Sequence, residues 1–169
     1  MNTNYDVKDL FERYSDMIYR IAMSYGNSVP FAEDAVQEVF LRYLRKRPSF
    51  ENREHEKAWF IRVTVNYCKS TISSAWLKRI CSLENAEQLA VPFHQREESE
   101  LYETLSGLAP KYRVVLYLRY YEEYQVQEIA AILGITPNLV SARLLRAKKL
   151  MKQKLLTERE EFQDGTSTV

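Results

Sequence analysis

Glycine and proline are scarce in this chain, with 4 and 5 copies among 169 residues. Turn-rich all-β architectures use far more of both, so their scarcity leaves helices as the expected framework. No stretch approaches the roughly 20 consecutive apolar residues of a membrane-spanning helix. The start, MNTNYDVKDLFERYSD, lacks the basic opening and apolar middle of a signal peptide, which predicts a cytoplasmic protein with no direct membrane insertion. Two cysteines, Cys68 and Cys81, and two histidines, His55 and His94, are too widely spaced for a CxxC pair or a ligand motif. The cysteines are therefore expected to be structural or unpaired thiols, with no metal site and no cofactor. Paired catalytic carboxylates, a nucleophile with its base and a phosphate-cradling glycine loop are also missing as recognisable motifs, so no catalytic residue and no enzymatic activity are expected.

Net charge is small as well: 24 basic against 23 acidic side chains leave +1, which at first argues against a nucleic-acid partner. The total conceals segregation. Residues 1–80 carry +3, 81–109 carry −5, 110–156 carry +6 and 157–169 carry −3. Hydrophobic residues make up 46% of the chain, enough for packed cores in one or two small domains.

From Leu10, the apolar positions Tyr14, Met17, Ile18, Ile21, Ala22 and Tyr25 recur every three or four residues and predict an amphipathic helix, stopped by Gly26 and Asn27. Pro30 suits the first turn of a second helix with Ala32, Ala35, Val36, Val39, Phe40, Tyr43 and Leu44 inward, ending in Arg45, Lys46, Arg47 and Pro48. A third pattern runs through Ala58, Trp59, Ile61, Arg62, Val65 and Asn66 to about Trp76. Residues 81–97 lose the period and read as an acidic linker. The pattern resumes with Leu101, Leu105 and Leu108, then with Val114, Val115, Leu118 and Tyr121 behind Pro110, and residues 158–169 read as a flexible tail. The fold class expected is all-α: two small helical domains, 1–80 and 98–157, joined by a flexible linker, the second a helix-turn-helix.

That last assignment rests on VQEIAAILGITPNLVSARLLRAKKLMKQKL. Val126, Ile129, Ala130 and Leu133 form an apolar face, Gly134 suits a turn needing positive φ, and Pro137 starts the next helix. Small Ala130 permits the close approach of two steeply crossing helices. With Val140, Leu144 and Leu145 assigned inward, Asn138, Ser141, Ala142, Arg143 and Arg146 point outward. In a major groove, Ser141 and Arg143 would meet base edges, while Lys148, Lys149, Lys152 and Lys154 suit phosphates. An ordinary helical hairpin with a solvated basic face is the bland alternative.

In the second helix, Asp34, Gln37, Glu38 and Leu41 share a face beside the apolar stripe. Such a face is ordinary solvated surface unless apolar residues anchor a partner, and Phe31, Phe40 and Leu41 supply candidates. Around the third helix, Phe50, Lys57, Trp59, Phe60, Arg62, Asn66, Tyr67 and Lys69 interleave rings with cations, the combination that stacks unpaired bases and neutralises a backbone. Trp59 falls on the apolar stripe and is assigned to the core; for Phe50, Asn66 and Lys69 packing and binding both stand open.

Taken together, AEDAVQEVFLRYL, the following Phe50, KAWFIRVTVN and LSGLAPKYRVVLYLRYYEEYQVQEIAAILGITPNLVSARLLRAKKLM resemble the sigma factors of bacterial RNA polymerase, specifically their small extracytoplasmic-function group, over residues 8–156. The resemblance implies a sigma region 2 like domain, the linker and a region 4 like domain. It implies that Asp34, Gln37, Glu38, Phe40 and Leu41 dock on the clamp helices of the largest polymerase subunit. Phe50, Arg62, Asn66 and Lys69 would capture the nontemplate strand of the minus-ten element. Pro137, Asn138, Ser141, Arg143, Arg146 and Lys149 would lie on the minus-thirty-five element. The implied partners are core RNA polymerase, including its flap, promoter DNA and an anti-sigma factor. Departures from the family pattern fall at Ser70, at Asn138–Leu139 and at Ser141–Ala142, on the DNA-facing elements and not on the core-binding helix. A two-domain regulator that binds an operator alone as a dimer, or an adaptor that binds polymerase without initiating, would share many of these features; binding to core enzyme and run-off transcription separate the three.

Overall fold

A computed structural model describes residues 6–81, 105 and 107–164, which fall in two compact units divided after Pro92. The first unit is a three-helix assembly: α1 (Val7–Gly26), α2 (Val29–Lys46) and α3 (Arg53–Cys81). Local chemistry sets its boundaries. The Asp6 carboxylate accepts from the Lys8 backbone N–H at 3.3 Å, and α1 ends where Asn27 adopts a left-handed φ of 47°. Ser28 caps α2, Pro30 occupies its first turn, and Arg45 and Lys46 face the negative end of its dipole. Asn52 caps α3, accepting from the His55 backbone N–H at 2.8 Å.

Leu10, Ile18 and Ile21 of α1, Ala32, Ala35 and Val39 of α2, and Phe60, Ile61, Val65 and Cys68 of α3 form the core. Two expectations shift. Leu44, assigned inward, is 39% exposed. On α3 the buried stripe is Phe60, Ile61, Thr64, Val65 and Cys68, so Arg62 and Asn66 lie outside it. The helix turns its guanidinium and amide to water, and the buried Thr64 hydroxyl donates to the Phe60 carbonyl at 2.7 Å.

One buried group was not foreseen. Glu56 is only 1% exposed, and its Oε1 accepts from Arg13 Nη1 at 2.9 Å and from the Tyr14 hydroxyl at 2.7 Å. Burial, then the hydrogen bond to this carboxylate, pushes the Tyr14 hydroxyl well above its usual range.

The second unit contains α4 (Pro110–Leu116), widened into a π-helical turn at Tyr117–Tyr121, then α5 (Val126–Leu133) and α6 (Pro137–Asp164). The π turn, closed by the Glu122 N–H on the Tyr117 carbonyl at 3.1 Å, corrects the expectation for Tyr121. Its extra residue changes the helical phase: Leu118 stays buried while Tyr121 is 55% exposed, its ring stacked on Tyr117.

α5 and α6 meet at a bend of 107°, as a helix-turn-helix requires. Gly134 takes the left-handed conformation, φ 66°, and the Ile135 N–H closes on the Ala130 carbonyl at 3.0 Å. Thr136 caps α6 by accepting from the Leu139 N–H at 3.2 Å. Val140, Leu144 and Ala147 are buried, whereas Leu145 is 61% exposed rather than inward, because one further residue rotates it by about 100° from Leu144. α6 also continues to Asp164, through 158–164 of the expected tail, a run without glycine or proline until Gly165.

α3 likewise passes Trp76 and runs to Cys81. The remainder of the linker, Leu101, His94, residues 165–169 and the side chains of Trp76 and Cys81 lie outside the described residues. Among the described residues there is no strand, no single helix long and apolar enough to cross a membrane, and no cluster of metal-ligating side chains.

Two outcomes follow from this packing. A Cβ at Gly26 would run into the Phe31 ring, so Gly26→Ala is expected to lower stability by about 1 kcal/mol in denaturant titration, overpacking outweighing the gain in helix propensity. Burial pushes the Cys68 thiol up to about 12. In a Cys81→Ser variant near pH 8, Cys68 should therefore resist a disulfide reagent until the protein is denatured; equal labelling in both states would contradict its burial.

Candidate nucleic-acid interface

Trp59, Arg62, Asn66 and Lys69 follow one another at spacings of three, four and three, and therefore share one face of α3. Arg62, Asn66 and Lys69 are exposed and Trp59 is half-buried. Trp59 thus belongs partly to the surface, whereas its position on an apolar stripe predicts the core. Phe50 stands at the N-terminal end of this face. Its ring meets Trp59 edge-on at 5.9 Å and His55 at 5.8 Å, while Tyr43 supports Trp59 at 6.0 Å. The half-buried Phe50 is held by rings yet remains partly accessible. The chain enters this loop from exposed Arg45, Lys46 and Arg47, the last in a left-handed conformation with φ 40°. Aromatic faces, an amide and several cations on one surface match the chemistry of an unpaired strand.

On α2, Asp34, Gln37 and Leu41 are exposed and Glu38 is half-buried. Glu38 accepts from Arg42 at 2.8 Å, and the Arg42 guanidinium lies 5.6 Å above the Tyr67 ring, so the carboxylate is oriented before any partner arrives. Phe40 does not belong to this face. It is 6% exposed, turned between Phe11 at 5.1 Å and Phe60 at 5.5 Å. Leu44 is exposed instead and continues the row Gln37, Leu41, Leu44 at spacings of four and three.

At the start of α6, Pro137, Asn138, Ser141, Arg146 and Lys149 are exposed. Arg143 is half-buried on the flank of that surface. Among the lysines assigned to phosphates, Lys148, Lys149 and Lys152 are exposed, Lys148 lying 5.2 Å over the Tyr120 ring, and Lys154 is half-buried. A helix presenting polar and cationic side chains from its first turns, set at a steep angle to its predecessor, has the form of a major-groove reader.

Sequence reasoning missed Glu56 altogether. The available signal was its position four residues before Phe60, in phase with Phe60 and Thr64, but a lone glutamate in a polar first turn reads as solvated.

Comparisons with known proteins identify the family. The family description "Sigma-70 region 2" matches residues 10–78, and "Sigma-70, region 4" matches residues 98–151. RNA polymerase sigma factor SigV of Bacillus subtilis is 32% identical over 141 residues, covering 83% of this chain and 85% of the relative. The ECF RNA polymerase sigma factor SigM of the same organism is 28% identical over 156 residues, covering 86% and 93%. Among solved structures, the sigma factor RpoE of Bartonella quintana, in complex with the anti-sigma factor NepR, has the same fold with a TM-score of 0.75, at 21% identity over 88% of this chain and 95% of that one. With both regions matched in order, the chain belongs to the sigma-70 family of RNA polymerase sigma factors, in its extracytoplasmic-function group, and is a non-catalytic subunit that directs transcription initiation through RNA polymerase.

Proposed function

We propose that the first unit holds the melted minus-ten nontemplate strand and the second reads minus-thirty-five duplex DNA, both after docking on core polymerase. The observation that carries this reading is the α3 face, where Arg62, Asn66 and Lys69 stand in line with Trp59 beside Phe50. Rings offer stacking surfaces for unpaired bases, Asn66 can donate to and accept from a base edge, and Arg62 and Lys69 neutralise phosphates. Capturing a base outside the stack offsets an unstacking cost of roughly a few kcal/mol, so opening needs no nucleotide hydrolysis by this subunit.

In the second unit, Asn138, Ser141 and Arg146 face the groove, Arg143 approaches from the flank, and Lys149 and Lys152 meet phosphates. Docking uses Asp34, Gln37, Glu38 and Leu41 against the clamp helices of the largest polymerase subunit, with the second unit against the flap. An anti-sigma factor, such as the one named with the Bartonella relative, covers these surfaces when the factor is idle, and the work is cytoplasmic, where polymerase and promoter DNA meet.

Arg143→Ala is expected to reduce discrimination between the cognate and a mutated minus-thirty-five element by about 1–3 kcal/mol in holoenzyme binding. Equal losses on specific and random duplexes would instead assign Arg143 to phosphate. Glu38→Lys should weaken assembly with core enzyme by about tenfold or more, close to 1.4 kcal/mol, in a competition assay against wild-type factor. Normal assembly of that variant would remove Glu38 from the docking face.

A further inference from the structure

We infer that Glu56 is a positioning residue for strand capture, its carboxylate fixing the start of α3 and thereby the Phe50–Trp59 ring pair; this rests on the reading that the α3 face holds the melted strand. Between Arg47 and Trp59, Glu56 is the only fully buried residue. Arg53, Glu54 and His55 are exposed and Lys57 and Ala58 half-buried, so no apolar side chain in that stretch is sunk in the core. The first turn of α3 is anchored by an ion pair and a hydrogen bond, Arg13 at 2.9 Å and Tyr14 at 2.7 Å, both from α1.

The same carboxylate reaches the ring pair by a second route. Tyr14 stacks on Phe60 at 4.6 Å, Phe60 meets Trp59 at 5.1 Å, and Trp59 meets Phe50 at 5.9 Å. Any rotation of the first turn of α3 would therefore break directional bonds at Glu56 and ring contacts at Trp59 together. A buried carboxylate is a poor source of stability, because its desolvation offsets most of its attraction and an apolar residue of similar size often does as well. What an ion pair adds is direction. Rings already in register before the strand arrives spare the ordering cost at binding, which is the benefit expected of a preorganised site.

The test uses the full chain assembled with core polymerase, and as probe a fluorescent single-stranded oligonucleotide carrying the minus-ten nontemplate sequence of a promoter that the wild-type holoenzyme transcribes. Glu56→Gln should weaken oligonucleotide binding by about tenfold while core assembly and minus-thirty-five duplex binding stay within about twofold, and Glu56→Asp should recover part of the loss. The paired variant Arg13→Met/Glu56→Leu guards against simple unfolding: it should regain thermal stability without regaining strand affinity. Recovery of both together would reduce Glu56 to a stability role and overturn the inference. Asn66→Ala is the separate control on the reading beneath it. If Asn66→Ala loses strand affinity and Glu56→Gln does not, positioning fails and capture stands; if neither loses it, the capture reading fails and the inference falls with it.

Discussion

Phe60 makes ring contacts with Tyr14, Phe40, Tyr43 and Trp59, side chains drawn from all three helices of the first unit. Fully buried itself, it is the point at which α1, α2 and α3 must agree on a common geometry. Aromatic pairs favour particular offsets and tilts, so a cluster of this kind fixes helix rotation more tightly than aliphatic packing of the same area. The surfaces follow from that rotation. With Phe60, Ile61 and Val65 inward, Arg62, Asn66 and Lys69 can only face out; with Phe40 drawn against Phe60, α2 presents Gln37, Leu41 and Leu44.

The second unit is governed by a shorter constraint, the turn between α5 and α6. Gly134 reverses the chain at a positive φ, Ala130 is small enough for the helices to approach, and Thr136 caps the helix that carries the polar row. Preceding it, the π turn at Tyr117–Tyr121 lets Leu118 remain in the core while Tyr120 and Tyr121 stand at the surface, and Tyr120 in turn holds Lys148. A π turn costs hydrogen-bond regularity and is retained where a change of helical phase is useful.

The near-zero total charge is a cancellation. Two positive segments, +3 over 1–80 and +6 over 110–156, are offset by acidic ones at 81–109 and 157–169. Nonspecific affinity for DNA grows with the number of phosphates neutralised, so a chain with little net charge gains little of it from its total charge.

Helix boundaries were legible in the sequence wherever the signal is carried by adjacent residues: Gly26–Asn27, Pro30, the Arg45–Pro48 run, Gly134 and Pro137 each act on their own few bonds. The two regions, their order and most of the outward polar rows were legible for the same reason, since period and composition are local properties. What failed lay at the edges of the stripes. Leu44, Leu145, Trp59 and Tyr121 stand where one face grades into another, and a neighbouring helix, or a single extra residue in a turn, decides which way they point. Glu56 is the clearest case. Its partner Arg13 lies 43 positions away, so the sequence alone determined that a glutamate opens α3, and only the packing of α1 against α3 decided that its charge is buried, paired and able to fix the helix that follows.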